Sequence, residues 1–327
     1  MMEINNEMTD VLLLYKTHVY PIIIPLKMFI DKHNESNSFY NMNPSIQIDC
    51  NGNVNILVRS VNYRKFYNKI FTMYENYSKS IYTLLSGKIN DNELLNLDTF
   101  EVKDVFYDYF IPTYPTYWKG IEDIRFINKN SILAIIPECN ESGNPCIFRA
   151  TLENNTIHSF TTCKPNIIEK NWMPYTDEKG NEMVIYSLNP FKLKKIEEEI
   201  FTDIIFSEEI TSQLENYHGS TNGVYFTPLK NEMVSPIISI PDYKSNEYIL
   251  FLIHKNSDKS YHRWLLFNCK TNEIILSKEF FFFKYSYIEF PVSLAIFNER
   301  IFISLGVNDD RAFIVETTKE SIESTFN

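Results

Sequence analysis

The stretch SIQIDCNGNVNILVR, residues 45–59, reads as two short strands joined at Asn51-Gly52. Asn-Gly between apolar runs is a strong local signal for a tight hairpin, because both residues tolerate the left-handed backbone that such a turn needs. The same arrangement returns along the chain. DIRFINKNSILAIIP (123–137) turns around Asn128–Asn130, and CIFRATLENNTIHSFT (146–161) at Asn154-Asn155. NWMPYTDEKGNEMVIYSL (171–188) turns near Lys179-Gly180, HRWLLFNCKTNEIILSKEF (262–280) at Thr271-Asn272, and VSLAIFNERIFISLG (292–306) at Asn298-Glu299.

Two stretches carry a helical pattern and end at glycine: KIFTMYENYSKSIYTLLSG (69–87) and SEEITSQLENYHG (207–219). No strand–helix alternation follows, which argues against a parallel α/β sheet. Polar and aromatic strand starts recur roughly every fifty residues, near Arg59, Asp123, Lys170, Ser220 and Glu289. Paired hairpins at that period fit four-stranded propeller blades. The expected fold is all-β: a five-bladed β-propeller with a few short helices, residues 1–40 forming an N-terminal arm and 41–327 one propeller domain. The apolar stretch VLLLYKTHVYPIIIPLKMFI (11–30) contains Lys16, His18, Pro21, Pro25 and Lys27. It reads as a strand or packed arm, not as a spanning helix, which needs about 20 residues with few charges.

With 327 residues, 44% of them hydrophobic, the chain can bury a large core. A net charge of −11 gives no general attraction to nucleic acid or anionic membranes. The five scattered cysteines form no CxxC pair, so free thiols in a reducing compartment, the cytoplasm, are expected. The six histidines show no HExxH spacing, and no metal or other cofactor is expected.

GIEDIRFI (120–127) places Glu122, Asp123 and Arg125 inside an apolar strand. Charges there are costly unless paired or used. One account is a salt bridge between Asp123 and Arg125; the other makes Asp123 a general acid in a pocket. IIEKNWMPY (167–175) gathers Glu169, Lys170, Asn171 and Trp172, either a core indole with surface charges or a grip on sugar rings and hydroxyls. YHGSTNGV (217–224) reads as a loop of close backbone approach, without a nucleotide-binding fingerprint. His254 ends one apolar strand, and His262 and Arg263 open the next.

Taken in order, these segments resemble glycoside hydrolase family 130. Glu122-Asp123-Ile124-Arg125 is similar to that family's acid–Asp–Pro–Arg turn, with Ile124 at the proline position. EKNWMPY, YSLNP, GSTNGV and LIHK resemble later landmarks, with Lys255 in place of a glycine. The segments NPSI…VRSVNY (43–63) and IEFPVSLA…ISLGVNDDRAF (288–313) resemble opening and closing blades, the latter less closely in its final strand. The resemblance implies an inverting enzyme of mannoside-like glycosides: a phosphorylase, or a glycosyltransferase, with hydrolysis less in keeping. It makes Asp123 the catalytic acid. Arg125, Lys170 and His254 would bind inorganic phosphate or a sugar-phosphate donor. Arg59, Asn62, Glu122, Asn171, Trp172, Arg263, Glu289 and Asp310 would complete the substrate site, with an oligosaccharide or sugar phosphate as partner. Two other readings stand beside this one: a glycan-binding propeller without catalysis, using Trp172 and Trp264, and a scaffold propeller that holds proteins at its rim.

Overall fold

A computed structural model of the chain describes residues 17–24, 29–30, 36–37, 39–66, 69–72, 76–91, 93–108, 112–163, 168–227 and 248–326. The start of the apolar N-terminal stretch, before Thr17, lies outside these residues.

All six hairpins form where the Asn and Gly signals put them. Asn154 and Asn155 take φ of 46° and 59°, and Asn272 and Asn298 take 57° and 56°. These hairpins build five mainly antiparallel sheets around one axis, which is the five-bladed propeller. Blade 1 runs Tyr40–Ile48, Asn53–Val61, Ser78–Lys88 and Glu101–Asp104. Blade 2 runs Glu122–Phe126, Ser131–Ile135, Ile147–Glu153 and Thr156–Thr162. Blade 3 runs Met173–Thr176, Glu182–Leu188, Phe191–Lys195 and Thr202–Ile204. Blade 4 has an interrupted inner strand, His218–Gly219 and Val224–Phe226, followed by Tyr248–Asn256, Ser260–Asn268 and Glu273–Leu276.

Blade 5 is composite. Glu289–Phe297, Arg300–Val307 and Arg311–Thr318 supply three strands, and the outermost is His18–Pro21 from the N-terminal side, antiparallel to Arg311–Thr318. The Tyr20 hydroxyl donates to Glu316 at 2.7 Å, and the Arg300 guanidinium holds the same carboxylate at 2.6 Å. The two ends of the chain thereby lock the ring in one sheet.

The core is distributed over the gaps between blades. Leu250, Leu252 and Trp264 of blade 4 pack on Leu294, Ile303 and Leu305 of blade 5. Ile46, Ile56 and Val58 of blade 1 meet Phe302 and Ile314 of blade 5. Leu57 and Tyr82 meet Ile124, Ile132 and Phe148 across blades 1 and 2. Blade 2 meets blade 3 through Leu133, Ile147, Trp172 and Val184, and blade 3 meets blade 4 through Tyr175, Ile185, Phe251 and Leu265. A sheet covered on both faces has little use for alternation, hence continuous apolar runs such as YILFLI.

The second helical candidate is correct in part: Glu208–Leu214 is a helix capped by the Ser207 hydroxyl. The first is not. Lys69–Thr72 is a strand paired with Tyr63–Phe66, and Ser78–Lys88 is the long third strand of blade 1. The Ile, Tyr and Leu spacing there fits either period, and pairing with Asn53–Val61 decides it. A helix not foreseen, Lys319–Ser324, follows the last strand behind a Thr318 cap. No helix among the described residues is long and apolar enough to cross a membrane.

Gly306 sits where blade 5 touches blade 1. A Cβ there would lie 2.0 Å from Asn43 Oδ1 and 2.9 Å from the Asn43 backbone nitrogen. Gly306→Ala should therefore cost about 1–3 kcal/mol. The loss should appear as a lower urea midpoint with an unchanged denaturant slope.

Candidate active site

The inner strand of blade 2 carries Glu122, Asp123 and Arg125 to the mouth of the axis where the inner strands begin. Its pairing with Ser131–Ile135 slips between Glu122 and Arg125. Asp123 lies at that slip with φ of 46°, a conformation that re-aims its side chain away from the ladder. Asp123 Oδ1 accepts from Asn43 Nδ2 and from Arg59 Nη1, both at 3.0 Å. Arg59 also donates through Nη2 to Glu122 Oε1 at 2.5 Å and through Nε to Ser80 Oγ at 2.9 Å. One buried guanidinium thus faces two carboxyl groups. Burial raises the Glu122 carboxyl above its ordinary value; Arg59 pulls it down and Asp123 pushes it up again. The expected Asp123–Arg125 salt bridge does not form among the described residues; the partner of Asp123 is Arg59.

Arg125 points the other way, toward blades 4 and 5. Its Nε donates to the Ser220 carbonyl and its Nη1 to the Asp123 carbonyl at 3.4 Å. Its Nη2 is buried without a partner, and no carboxylate of the described residues pairs with it. Burial lowers its pKa, against the pull of Asp123. Beside it His254 Nδ1 lies 2.5 Å from Ser220 Oγ, and the His254 ring stands edge-on to Phe290 with centroids 5.3 Å apart. Burial, reinforced by His262, His218, Arg125 and Lys170, drives His254 well below the ordinary imidazole value. Lys170 is exposed at the lead-in to blade 3, close enough for its charge to depress both His254 and His218. Arg125, Lys170 and His254 are therefore gathered on one side of Asp123. Arg59 reaches Asp123 from the opposite side, from near the end of the second strand of blade 1 and not from a strand start.

Other candidates are placed elsewhere. Trp172 is 1% exposed, and its indole donates to Glu169 at 2.9 Å, so its ring is core and not a sugar platform. Asn171, at φ of 63°, lays its carbonyl against Gly219, where a Cβ would approach within 2.1 Å; it fixes the strand lead-in that presents Lys170. Asn62 spends both ends of its amide on Tyr77 and Lys79, at 3.2 and 2.7 Å. Glu289 is buried with both oxygens taken, by the Phe282 and Phe283 amides at 2.8 and 2.6 Å, the Ser286 hydroxyl and His262 at 2.9 Å. It anchors a loop and has no capacity left for substrate. Arg263 bonds Tyr217 and Ser277, each at 3.1 Å, on the outer side of blade 4. Asp310 faces Arg64 at 3.8 Å on the rim beside blade 1. Lys255 does not crowd the seat; it bonds Glu279 away from His254.

Asn43, Ser220, His218 and Phe290 belong to the site but were not among its candidates. Asn43 and Phe290 lie in the first half of inner strands, as Asp123 does, so blade period combined with position along the strand is the signal that reaches them. Two cavities lie away from the charged mouth. One of about 410 Å³ sits at the other end of the axis, among Ile46, Phe126, Thr176, Asn222 and Leu294. The other, about 480 Å³, borders Asn51, Lys88 and Glu93. No group of three or more metal-binding side chains occurs among the described residues.

No family model matches the chain, and no curated protein matches it in sequence. Solved structures do match. The fold is that of the mannoside phosphorylase propellers. A structure from the GH130 family of mannoside phosphorylases, described as containing hydrolases of β-1,2-mannosidic linkages in Candida mannan, is 12% identical. Its TM-score is 0.55 over 92% of this chain and 91% of that one. The β-1,2-mannobiose phosphorylase from Listeria innocua, in complex with β-1,2-mannobiose, is 11% identical with a TM-score of 0.54 over 94% and 99%. A β-xylosidase is 11% identical with a TM-score of 0.51 over 85% and 91%. The architecture thus serves more than one sugar, and chemistry has to be argued from the site.

Two outcomes follow from these side chains. Glu289→Gln should destabilise the protein by about 1–3 kcal/mol in denaturant titration, since the amide cannot accept from all the buried donors that the carboxylate now satisfies. His254 is held neutral in the folded state, whereas the unfolded chain binds a proton near the ordinary value of about 6.5. Its share of stability is complete above that value and is lost as pH falls through it. A stability–pH profile of His254→Gln should be flatter between about pH 7 and 5 than that of the parent.

Proposed function

We propose that the chain is a carbohydrate-active enzyme that makes or breaks a mannoside-like glycosidic bond with inversion, using inorganic phosphate or a sugar phosphate as co-substrate. The observation that carries this reading is the unpartnered buried Nη2 of Arg125, with His254 and Lys170 around it. A buried guanidinium nitrogen without an acceptor is costly, so an anion belongs there. Arginine suits bidentate oxyanion binding, and lysine adds a point charge. The sugar class is supported by the named activities of the structural neighbours.

In this reading Asp123 Oδ1 is held by Asn43 and Arg59. Oδ2 is left for the glycosidic oxygen. The Glu122–Arg59–Asp123 trio carries one net negative charge, so taking up one proton neutralises it. That proton passes to the leaving oxygen as the C–O bond breaks. A phosphate oxygen, seated by Arg125, Lys170 and His254, forms the new bond on the opposite face of the anomeric carbon. The products are an inverted sugar phosphate and the freed hydroxyl. Inverting enzymes that use water place a second carboxylate about 6.5–9.5 Å away as base. Cations stand on that side here, and a phosphate needs no base. Free thiols at all five cysteines suit a reducing compartment, and we assign the enzyme to the cytoplasm.

Asp123→Asn should lower turnover by about 10²–10⁴-fold with an unchanged circular dichroism spectrum. Arg125→Gln should raise the KM for phosphate at least about ten-fold. The assay is phosphate-dependent release of sugar 1-phosphate from mannobiose, read with its anomeric configuration. Full activity in Asp123→Asn would overturn the assignment of the acid. Binding of mannosides without product would instead favour a glycan-binding propeller.

A further inference from the structure

Blade 1 carries an addition at the mouth that a four-stranded blade does not require. Past Val61 the chain forms the hairpin Tyr63–Phe66 and Lys69–Thr72. Beside it the short strand Trp118–Lys119 pairs in parallel with Ser78 and Lys79, taking the outer position that Glu101–Asp104 holds farther down the same sheet. The result is an aromatic step. Trp118 stands edge-to-face against Tyr63 at 5.8 Å and against Tyr117 at 5.3 Å. Trp118 is partly exposed and Tyr117 is 42% exposed.

This step adjoins the two carboxyl groups. The Tyr63 hydroxyl lies 3.5 Å from Nη2 of Arg59, the guanidinium that grips Glu122 and Asp123. Tyr63 is also near enough for both carboxylates to raise its pKa, after burial. The anion seat lies across Asp123, where Arg125 bonds Ser220 of blade 4 and stands over the Phe290 ring of blade 5 at 5.7 Å. The order across the mouth is cationic seat, carboxyl group, aromatic step.

We infer that Trp118, with Tyr117, is a sugar-binding subsite that takes the ring of the leaving group, a pyranose unit whose apolar face lies on the indole. In an inverting displacement the nucleophile and the leaving oxygen occupy opposite sides of the reacting carbon, and the acid accompanies the leaving oxygen. A nucleophile at Arg125 therefore sends the leaving sugar toward Trp118. Rings with polar edges are suited to this, offering a face to C–H groups while their edges remain wet. The contact with sugar stands on the step alone; its assignment to the leaving group rests on the function proposed above.

The chain has three tryptophans, and the other two, Trp172 and Trp264, are 1% and 0% exposed. All three emit, but Trp118 alone of them is exposed enough for a sugar at the mouth to touch it. Titration with mannose and with mannobiose should change the emission of the parent, and Trp118→Phe should abolish the change. Phosphate alone should leave emission unaltered. Arg125→Gln should retain the sugar response while losing phosphate affinity. In the synthetic direction, at saturating mannose 1-phosphate, Trp118→Ala should raise the KM for the acceptor sugar about three- to ten-fold with little change in kcat, and Trp118→Phe should restore most of it. A sugar response that survives at full amplitude in Trp118→Phe, or no response in the parent, would overturn the subsite. So would an acceptor KM unmoved in Trp118→Ala. A Trp118-dependent response in a protein without turnover would sink the proposed reaction and the leaving-group assignment, leaving the sugar contact standing.

Discussion

Five inner strands that share no common sheet are held to one another by one or two polar contacts at each step around the axis. The Ser293 hydroxyl accepts from the Ile46 amide at 2.6 Å, joining blades 5 and 1. The Asn222 amide group pairs with both backbone groups of Leu294, at 2.8 and 3.1 Å, joining blades 4 and 5. The Gly223 amide donates to the Pro174 carbonyl at 2.8 Å, and the Thr176 hydroxyl to the Ile127 carbonyl at 3.4 Å. Each contact satisfies buried backbone that the ring geometry leaves unpaired. The apolar clusters between blades supply bulk stabilisation, but these contacts set how closely the inner strands approach, and hence which side chains can meet at the mouth.

That approach explains why charge sits in an apolar strand. Asn43 from blade 1 reaches Asp123 of blade 2, and Ser220 of blade 4 reaches Arg125. Carboxyl groups gather toward blade 1 and cations toward blade 4, with the same short strand contributing to both. The separation follows from the slip in pairing between Glu122 and Arg125, which leaves Asp123 turned toward blade 1 while Arg125 reaches blade 4.

Legibility in the sequence followed range. Hairpin tips were readable because Asn and Gly at positive φ are local requirements, met at Asn154-Asn155 and at Gly52. The blade period was readable because it repeats. The strand at Ser78–Lys88 was not, since its Ile, Tyr and Leu spacing fits two periods and only pairing with Asn53–Val61 separates them. Whether a polar residue has capacity left for a ligand was also hidden. Glu289 and Arg125 look equally interesting in the sequence. The amides of Phe282 and Phe283 consume the first, and the absence of a described carboxylate leaves the second open. Trp172, a candidate sugar platform in the sequence, was hidden for the same reason: it receives Glu169 and a covered face.

The strand His18–Pro21 joins a partner almost three hundred residues later. During synthesis it emerges long before Arg311–Thr318 exists, so it must wait, unpaired, while four blades accumulate. Such remote pairing makes closure a late and slow event. Asn43 and Arg59 come from blade 1, which meets this last seam on one face and blade 2 on the other. A chain cut short before the final hairpin would keep most of its sheets and leave blade 1 without its neighbour on one face.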